Sequence, residues 1–190
     1  MFILPIAVAA YIIGSFPTAY VIGKHIKGID ILRSGTGNVG AMNAYEVTGS
    51  KRIGFTVVTI DILKGLMVTI LAQYKFGLTA SFVAALFAVV GHNYSIFLGF
   101  KGGRGLATSA GALLIIDPLS VAVYLLVYGV LRAAKLKLYI SSVSGIATAS
   151  IPLFTKFVHA PADEALVALL MITVLSRHLT PLKNELKNGG

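Results

Sequence analysis

The stretch "LATSAGALLIIDPLSVAVYLLVYGVL", Leu106–Leu131, decides how often this chain crosses a membrane. It is long enough for one spanning helix, because about 20 apolar residues cross the hydrocarbon core. Asp117-Pro118 interrupts it. Proline disfavours a helix interior, and an aspartate amid lipid is costly. Two short helices are therefore predicted, Leu106–Ile116 and Leu119–Leu131. Neither crosses a full bilayer alone as a straight helix, so both are expected to pack inside a bundle.

The surrounding sequence has the same character. The chain has 190 residues, of which 56% are hydrophobic and 12% charged. Its mean hydropathy is +0.86. A soluble domain carries about 25% charged residues, so a membrane protein is indicated. Further apolar segments run over Phe2–Ile22, Ile53–Gln73, Leu78–Phe100, Leu138–Phe157 and Ala165–Leu175. The last is short and is expected to extend over its polar flanks. The first lacks a basic n-region and an A-x-A site, so a retained span is expected, not a signal peptide. The sum is an all-α, seven-helix transmembrane bundle forming a single domain over residues 1–190. Cysteine is absent, and the four histidines show no zinc spacing.

The net charge of +9 suits either a nucleic-acid footprint or a membrane asymmetry. The positions of the charges decide. Lys24, Lys27, Arg33, Lys51 and Arg52 follow the first segment, and Lys101 and Arg104 follow the third. Arg132, Lys135 and Lys137 follow the fifth helix, and Arg177, Lys183 and Lys187 follow the seventh. With seven crossings all of these fall on one side, leaving Lys75 and Lys156 opposite and Lys64 inside a span. The positive-inside rule then gives an outside N-terminus and a cytoplasmic C-terminus. With six crossings the basic loop at 132–137 or the tail would fall outside. No nucleic-acid partner is needed.

Three segments converge on the predicted cytoplasmic face: "SGTGNVGAMN" at Ser34–Asn43, "FKGGRGLATSAG" at Phe100–Gly111, and "SRH" at Ser176–His178. Glycine permits positive φ and close approach of backbone N–H groups to an anion. A helix N-terminus adds unpaired donors and a favourable dipole. Lys101 and Arg104 add full charge, and arginine grips phosphate with two parallel bonds. A phosphate-bearing ligand at the membrane surface is the expected partner.

Familiar motifs fit less well. Gly35-x-Gly37-x-x-Gly40 matches the dinucleotide fingerprint, but no βαβ unit surrounds it. The second cluster lacks the G-K-[ST] of a phosphate-binding loop. His25 and Asp30 form an H-x-x-x-x-D pair of the kind one class of glycerolipid acyltransferases uses, but that class's P-E-G block is missing. Asp61 and Lys64, at i and i+3, read as a structural ion pair within a span. His92 is either a packing residue or part of the site. A transporter of a phosphorylated solute is disfavoured, because no internal repeat is visible and the glycine loops lie at the surface.

Together, "SGTGNVGAMNAYE", "GHNYSIFLGFKGGRGLATSAG" and "SRH", with "DILKG" at Asp61–Gly65 and "LYISSVS" at Leu138–Ser144, resemble the acyl-phosphate:glycerol-3-phosphate acyltransferases, the PlsY family. The resemblance covers nearly the whole chain, in order. It implies a multi-pass enzyme of the cytoplasmic membrane, active at the cytoplasmic face and expected to be monomeric. Such an enzyme moves a fatty acyl group from acyl-phosphate to the 1-hydroxyl of glycerol 3-phosphate, giving lysophosphatidic acid. Neither cofactor nor metal is implied; the partners are the two substrates and membrane lipid. The resemblance assigns Thr36, Ser141 and His178 to catalysis. It assigns the backbone amides of Gly37–Asn43, with Gly37, Asn38, Gly40, Ala41 and Asn43 named, to the acyl-phosphate, and Lys101 and Arg104 to glycerol 3-phosphate.

The chain also departs from the family pattern. Thr36 stands for the usual serine, Arg104 for a lysine and Met42 for a threonine. Glu46 occupies the place of a phosphate-binding arginine, and Pro181 that of an asparagine. These two set an alternative expectation: a paralogue with weakened activity or a shifted acceptor, binding acyl-phosphate or phospholipid.

Overall fold

In the computed structural model, which describes residues 2–157 and 161–187, the apolar runs form nine α-helices. They are α1 (Ile3–Ser15), α2 (Thr18–Lys27), α3 (Ala41–Thr48), α4 (Lys51–Phe76), α5 (Leu78–Asn93), α6 (Leu106–Ile116), α7 (Pro118–Ala133), α8 (Leu138–Phe157) and α9 (Pro161–Lys187). The described residues contain no strand, only one antiparallel bridge between Ser95 and Lys101.

The break at Asp117 is where the sequence puts it. The Asp117 carboxylate caps α7, accepting from the Ser120 amide at 3.2 Å and the Ser120 hydroxyl at 2.6 Å. Lys156 adds an ion pair at 3.4 Å and donates to the Ile116 carbonyl at 3.0 Å. A buried charge thus has partners on all its exposed valences, as a low-dielectric site requires.

The first segment differs from the single helix expected over Phe2–Ile22. It breaks at Pro17, which has no N–H to continue the ladder. The carbonyls released there find a cation: Lys64 donates to Gly14 at 3.2 Å and to Phe16 at 2.9 Å. Lys64 also pairs with Asp61 at 2.9 Å, and Thr18 donates to that carboxylate at 3.0 Å. The third segment also ends early, at Asn93. Beyond it the chain folds back through Gly99 and Phe100, both at positive φ (59° and 62°). The last helix runs past the expected Leu175 to Lys187, so Arg177 and His178 lie on α9 and not after it.

Helix α5 is the centre of the bundle, buried along most of its length. Phe82, Leu86 and Val89 pack with Leu113 and Ile116 of α6, Ile146 and Leu153 of α8, and Val167, Leu170 and Val174 of α9. Phe82 meets Phe157 edge to face at 4.9 Å. Helices α4 and α6 approach through a reciprocal pair of glycines. A Cβ on Gly65 would strike the Thr108 carbonyl, and one on Gly111 would strike the Ile62 carbonyl. Small residues bringing helix backbones together are the usual means of packing in lipid. The outward faces stay apolar, with Phe55, Leu126, Ile151 and Ile172 exposed.

Four segments are long and apolar enough to span a membrane: α1 with α2, α4, α8 and α9. Helices α5, α6 and α7 are shorter apolar helices. The 11 residues of α6 rise only about 17 Å, which fits packing inside the bundle.

Candidate functional site

The first glycine loop is built around one side chain. Asn43 is 1% exposed. Its Oδ1 accepts from the Thr36 amide at 2.9 Å, and its Nδ2 reaches the carbonyls of Ser34, Asn38 and Ile31 at 3.0–3.3 Å. Gly35 and Gly37 adopt left-handed φ of 59° and 68° so that the chain can wrap this hub. A Cβ on Gly35 would run into the Asn43 carboxamide. The loop then feeds α3 with Gly40 as N-cap. The amides of Ala41, Met42 and Asn43 open that helix, where no helical carbonyl reaches them.

The second loop packs against the first and against α9. The Val39 amide donates to the Gly102 carbonyl at 3.4 Å, and the Gly103 amide to the His92 carbonyl at 2.9 Å. A Cβ on Gly103 would collide with the His92 ring. Arg177 holds the loop from the other side, donating from Nε to Gly103 at 3.1 Å and from Nη2 to Gly102 at 3.4 Å. Its guanidinium also lies 5.3 Å from the Tyr94 ring centroid. Arg104 donates from Nη1 to the Tyr139 hydroxyl at 2.6 Å.

These contacts enclose two cavities. The outer, about 570 Å³, is lined by Thr36, Gly37 and Asn38, by Lys101, Gly102 and Arg104, and by Ser176, Arg177, Thr180 and Pro181. It joins all three sequence motifs and carries three permanent cations with no carboxylate on its wall. The inner, about 320 Å³, is mostly apolar, walled by Ile62, Leu106, Ala110, Val121 and Leu125 among others. Gly40, Ala41, Met42, His92 and His178 also border it. Asn38 and Arg104 line both. An anion fits the first chamber and a hydrocarbon chain the second, with the junction between them.

The pattern of glycerol-3-phosphate acyltransferases matches residues 4–188. This chain belongs to that family. Glycerol-3-phosphate acyltransferase 2 of Moorella thermoacetica is 46% identical over 154 residues, covering 81% of this chain and 78% of that protein. The glycerol-3-phosphate acyltransferase of Bacillus subtilis is 39% identical, covering 96% of this chain and 93% of its own. Among solved structures, PlsY (YgiH), an integral membrane glycerol 3-phosphate acyltransferase, matches in two forms. Its glycerol 3-phosphate form has a TM-score of 0.89 at 29% identity, covering 99% of this chain and 94% of that one. Its lysophosphatidic acid form has a TM-score of 0.87 at 28% identity, covering 99% and 93%. A multi-pass, all-helical membrane protein follows from this fold and from the apolar helices.

In this family member the histidine of the third motif is 3% exposed and borders the inner cavity. His178 Nδ1 lies 2.8 Å from the Val174 carbonyl. A carbonyl only accepts, so Nδ1 carries the hydrogen there, which leaves Nε2 as the ring's other nitrogen. His92 borders the same cavity, with Nδ1 3.5 Å from Lys64 and 3.8 Å from Asp61. It therefore belongs both to the buried ion-pair network and to the cavity wall.

Of the residues named from the sequence, Ser141 and Glu46 line neither cavity, and the Asn43 side chain is committed to its own loop. Ser141 is fully buried, its hydroxyl donates to the Lys137 carbonyl at 2.9 Å, and it lines neither cavity. One residue on, about 100° around the helix, Ser142 is the serine on the inner wall. The side chain of Asn43 is used inside the loop, which leaves its backbone amide, the group the resemblance assigns, for a ligand. Glu46 is exposed on α3, lines neither cavity and makes no ion pair among the described residues. The H-x-x-x-x-D pair is likewise outside the site: Asp30 caps the Leu32 amide at 3.0 Å and pairs with Arg33 at 3.6 Å. Tyr139 and Ser142 were not singled out by sequence. Arg177 was visible inside "SRH", but nothing there marks the distant carbonyls it binds.

Proposed function

We infer that this chain transfers a fatty acyl group from acyl-phosphate to the 1-hydroxyl of glycerol 3-phosphate, releasing phosphate and lysophosphatidic acid. The observation that carries the reading is the joining of a cationic chamber to an apolar one at Asn38 and Arg104. The acyl chain takes the inner cavity. Its phosphate meets the free amides at the start of α3, where the helix dipole favours an anion. Glycerol 3-phosphate takes the outer cavity, held by Lys101, Arg104 and Arg177, with Thr36 and Asn38 beside its hydroxyls.

Acyl-phosphate is a mixed anhydride, and phosphate leaves readily. The 1-hydroxyl oxygen attacks the carbonyl carbon, the carbon–oxygen bond to phosphate breaks, and the hydroxyl proton ends on the departing phosphate. His178, which borders the inner cavity, would relay that proton through Nε2 when its ring is neutral. Placing two substrates in adjoining chambers and neutralising their phosphates accounts for most of the work.

Topology supports a cytoplasmic site. Counting α1 with α2 as one crossing, and α4 to α9 singly, gives seven, with α3 lying at the membrane surface. The basic loops then share the side of the site, with the N-terminus outside and the C-terminus in the cytoplasm. The protein acts as a monomer without cofactor, with both substrates reached from the membrane and the cytoplasm.

Purified protein in lipid, given palmitoyl-phosphate and glycerol 3-phosphate, tests the reading. Phosphate release that depends on glycerol 3-phosphate, matched by lysophosphatidic acid, is expected. Release by water alone, or none, sinks it. A second reading has one observation behind it. Pro181 lines the outer cavity at the place where the family resemblance implies an asparagine, so the acceptor's polar end would have one fewer hydrogen-bonding group. A shifted acceptor would show as a lower KM for a different phosphorylated alcohol in the same assay.

A further inference from the structure

Arg104 stands at the junction of the two cavities, and its restraint comes from residues outside the three motifs. Besides the 2.6 Å bond to the Tyr139 hydroxyl, its guanidinium carbon lies 4.8 Å from the centroid of that ring. Among the described residues no carboxylate pairs with Arg104. The identity of the partner matters. A carboxylate would fix the arginine and cancel its charge. A phenol fixes it and leaves the charge whole. One guanidinium N–H is committed to Tyr139, and the others remain for phosphate oxygens.

Tyr139 is itself held. It is the second residue of α8, where first-turn amides have no helical acceptor. Glu185, near the end of α9, supplies one. The Tyr139 amide donates to Oε2 at 2.9 Å and Oε1 at 3.1 Å, and the Ile140 amide donates to Oε2 at 3.1 Å. Lys137 donates to the Glu185 carbonyl at 3.1 Å. A carboxylate is also the charge that a helix N-terminus favours. The contacts thus run from the tail of α9, through the start of α8, to the phenol, the guanidinium and the cavity junction.

We propose that Tyr139 is a positioning residue of the acyl-transfer site, that Glu185 positions Tyr139, and that together they hold one uncancelled guanidinium facing both substrates' phosphates. The inference rests on the substrate placement given above. Its mechanistic content is specific. Two phosphates brought to one junction repel each other most as the reacting atoms approach. A cation fixed between them acts chiefly on turnover; a cation free to follow one phosphate acts chiefly on binding.

Tyr139→Phe keeps the ring and removes the hydroxyl, so the helix contacts survive. Expected is a fall in kcat of about ten-fold or more, the scale of one hydrogen bond to a charged group, with a smaller change in KM for glycerol 3-phosphate. The thermal midpoint should stay unchanged. In an Arg104→Lys background the same substitution should change kcat less than about two-fold, because lysine lacks the fork that the phenol orients. Glu185→Gln retains one acceptor oxygen and should give a smaller fall than Tyr139→Phe, non-additive with it. An unchanged kcat for Tyr139→Phe, or equal falls in both backgrounds, overturns the inference while leaving the acyltransferase reading intact. A wild type with no turnover dependent on glycerol 3-phosphate overturns that reading, and the inference with it.

Discussion

Arg177 Nε donates to the carbonyl of Gly103 at 3.1 Å, tying the last helix to the second glycine loop 74 residues away in sequence. The same side chain lines the outer cavity. It therefore has two tasks, holding a backbone and supplying charge. Lysine supplies the charge without the fork.

Arg177→Lys should therefore raise KM for glycerol 3-phosphate by several-fold, and Arg177→Ala by tens-fold, the scale of losing a charge-assisted bond. Steady-state kinetics on protein of verified thermal midpoint checks this. Equal KM values for wild type and Arg177→Ala would remove Arg177 from the acceptor chamber.

Lys64 concerns stability more than turnover. Its ammonium serves Asp61 and the two carbonyls freed at Pro17, and it is 7% exposed. Lys64→Met leaves a buried carboxylate and two carbonyls without a cation, so a loss of about 3–5 kcal/mol is expected. Adding Asp61→Asn removes the orphaned charge and should recover part of it. Thermal unfolding in detergent reads both. A double variant no more stable than Lys64→Met would show that the carbonyls, not the carboxylate, dominate.

These relationships mark what the sequence could and could not disclose. Asp117-Pro118 was legible because the breaker, the cap and the two helices are contiguous. Pro17 carries an equally local signal, but its consequence depends on Lys64, which lies far along the chain. Helix α3 was hidden because a short helix in a glycine-rich loop shows too little periodicity to be read. The three motifs could be seen to share a face by counting crossings. Which side chains turn toward the cavity could not, because Ser141 and Ser142 differ only by a rotation that packing fixes. The Asn43 side chain's part in the loop was hidden as well: its partners come together only when the loop closes.

Topology is open to a direct test, because the chain has no native cysteine. Tyr74 is 88% exposed near the end of α4, and Ala134 is exposed between α7 and α8. With seven crossings, Tyr74→Cys should react with a membrane-impermeant maleimide from outside the cell. Ala134→Cys should react only after the membrane is opened. Labelling of both from the same side would contradict the seven-crossing arrangement.

The last prediction separates the two departures from the family pattern. By sequence, Glu46 threatens the site more, since a carboxylate replaces a phosphate-binding arginine. By geometry, the more consequential change is Pro181. Glu46 is exposed and lines neither cavity, so its field is screened by water and salt. Glu46→Arg should change kcat/KM for glycerol 3-phosphate by less than about two-fold at physiological ionic strength, with a larger effect only at low salt. Pro181 lies inside α9 and on the outer cavity wall. Pro181→Asn restores a helical N–H and adds a carboxamide beside the acceptor. It should raise the thermal midpoint, because proline is about 3 kcal/mol worse than alanine inside a helix. It should also lower KM for glycerol 3-phosphate several-fold. Kinetics for both variants, at low and physiological salt, decide the matter. If Glu46→Arg lowers KM more than Pro181→Asn does at physiological salt, α3 closes over the acceptor during turnover. Glu46 then belongs to the site after all.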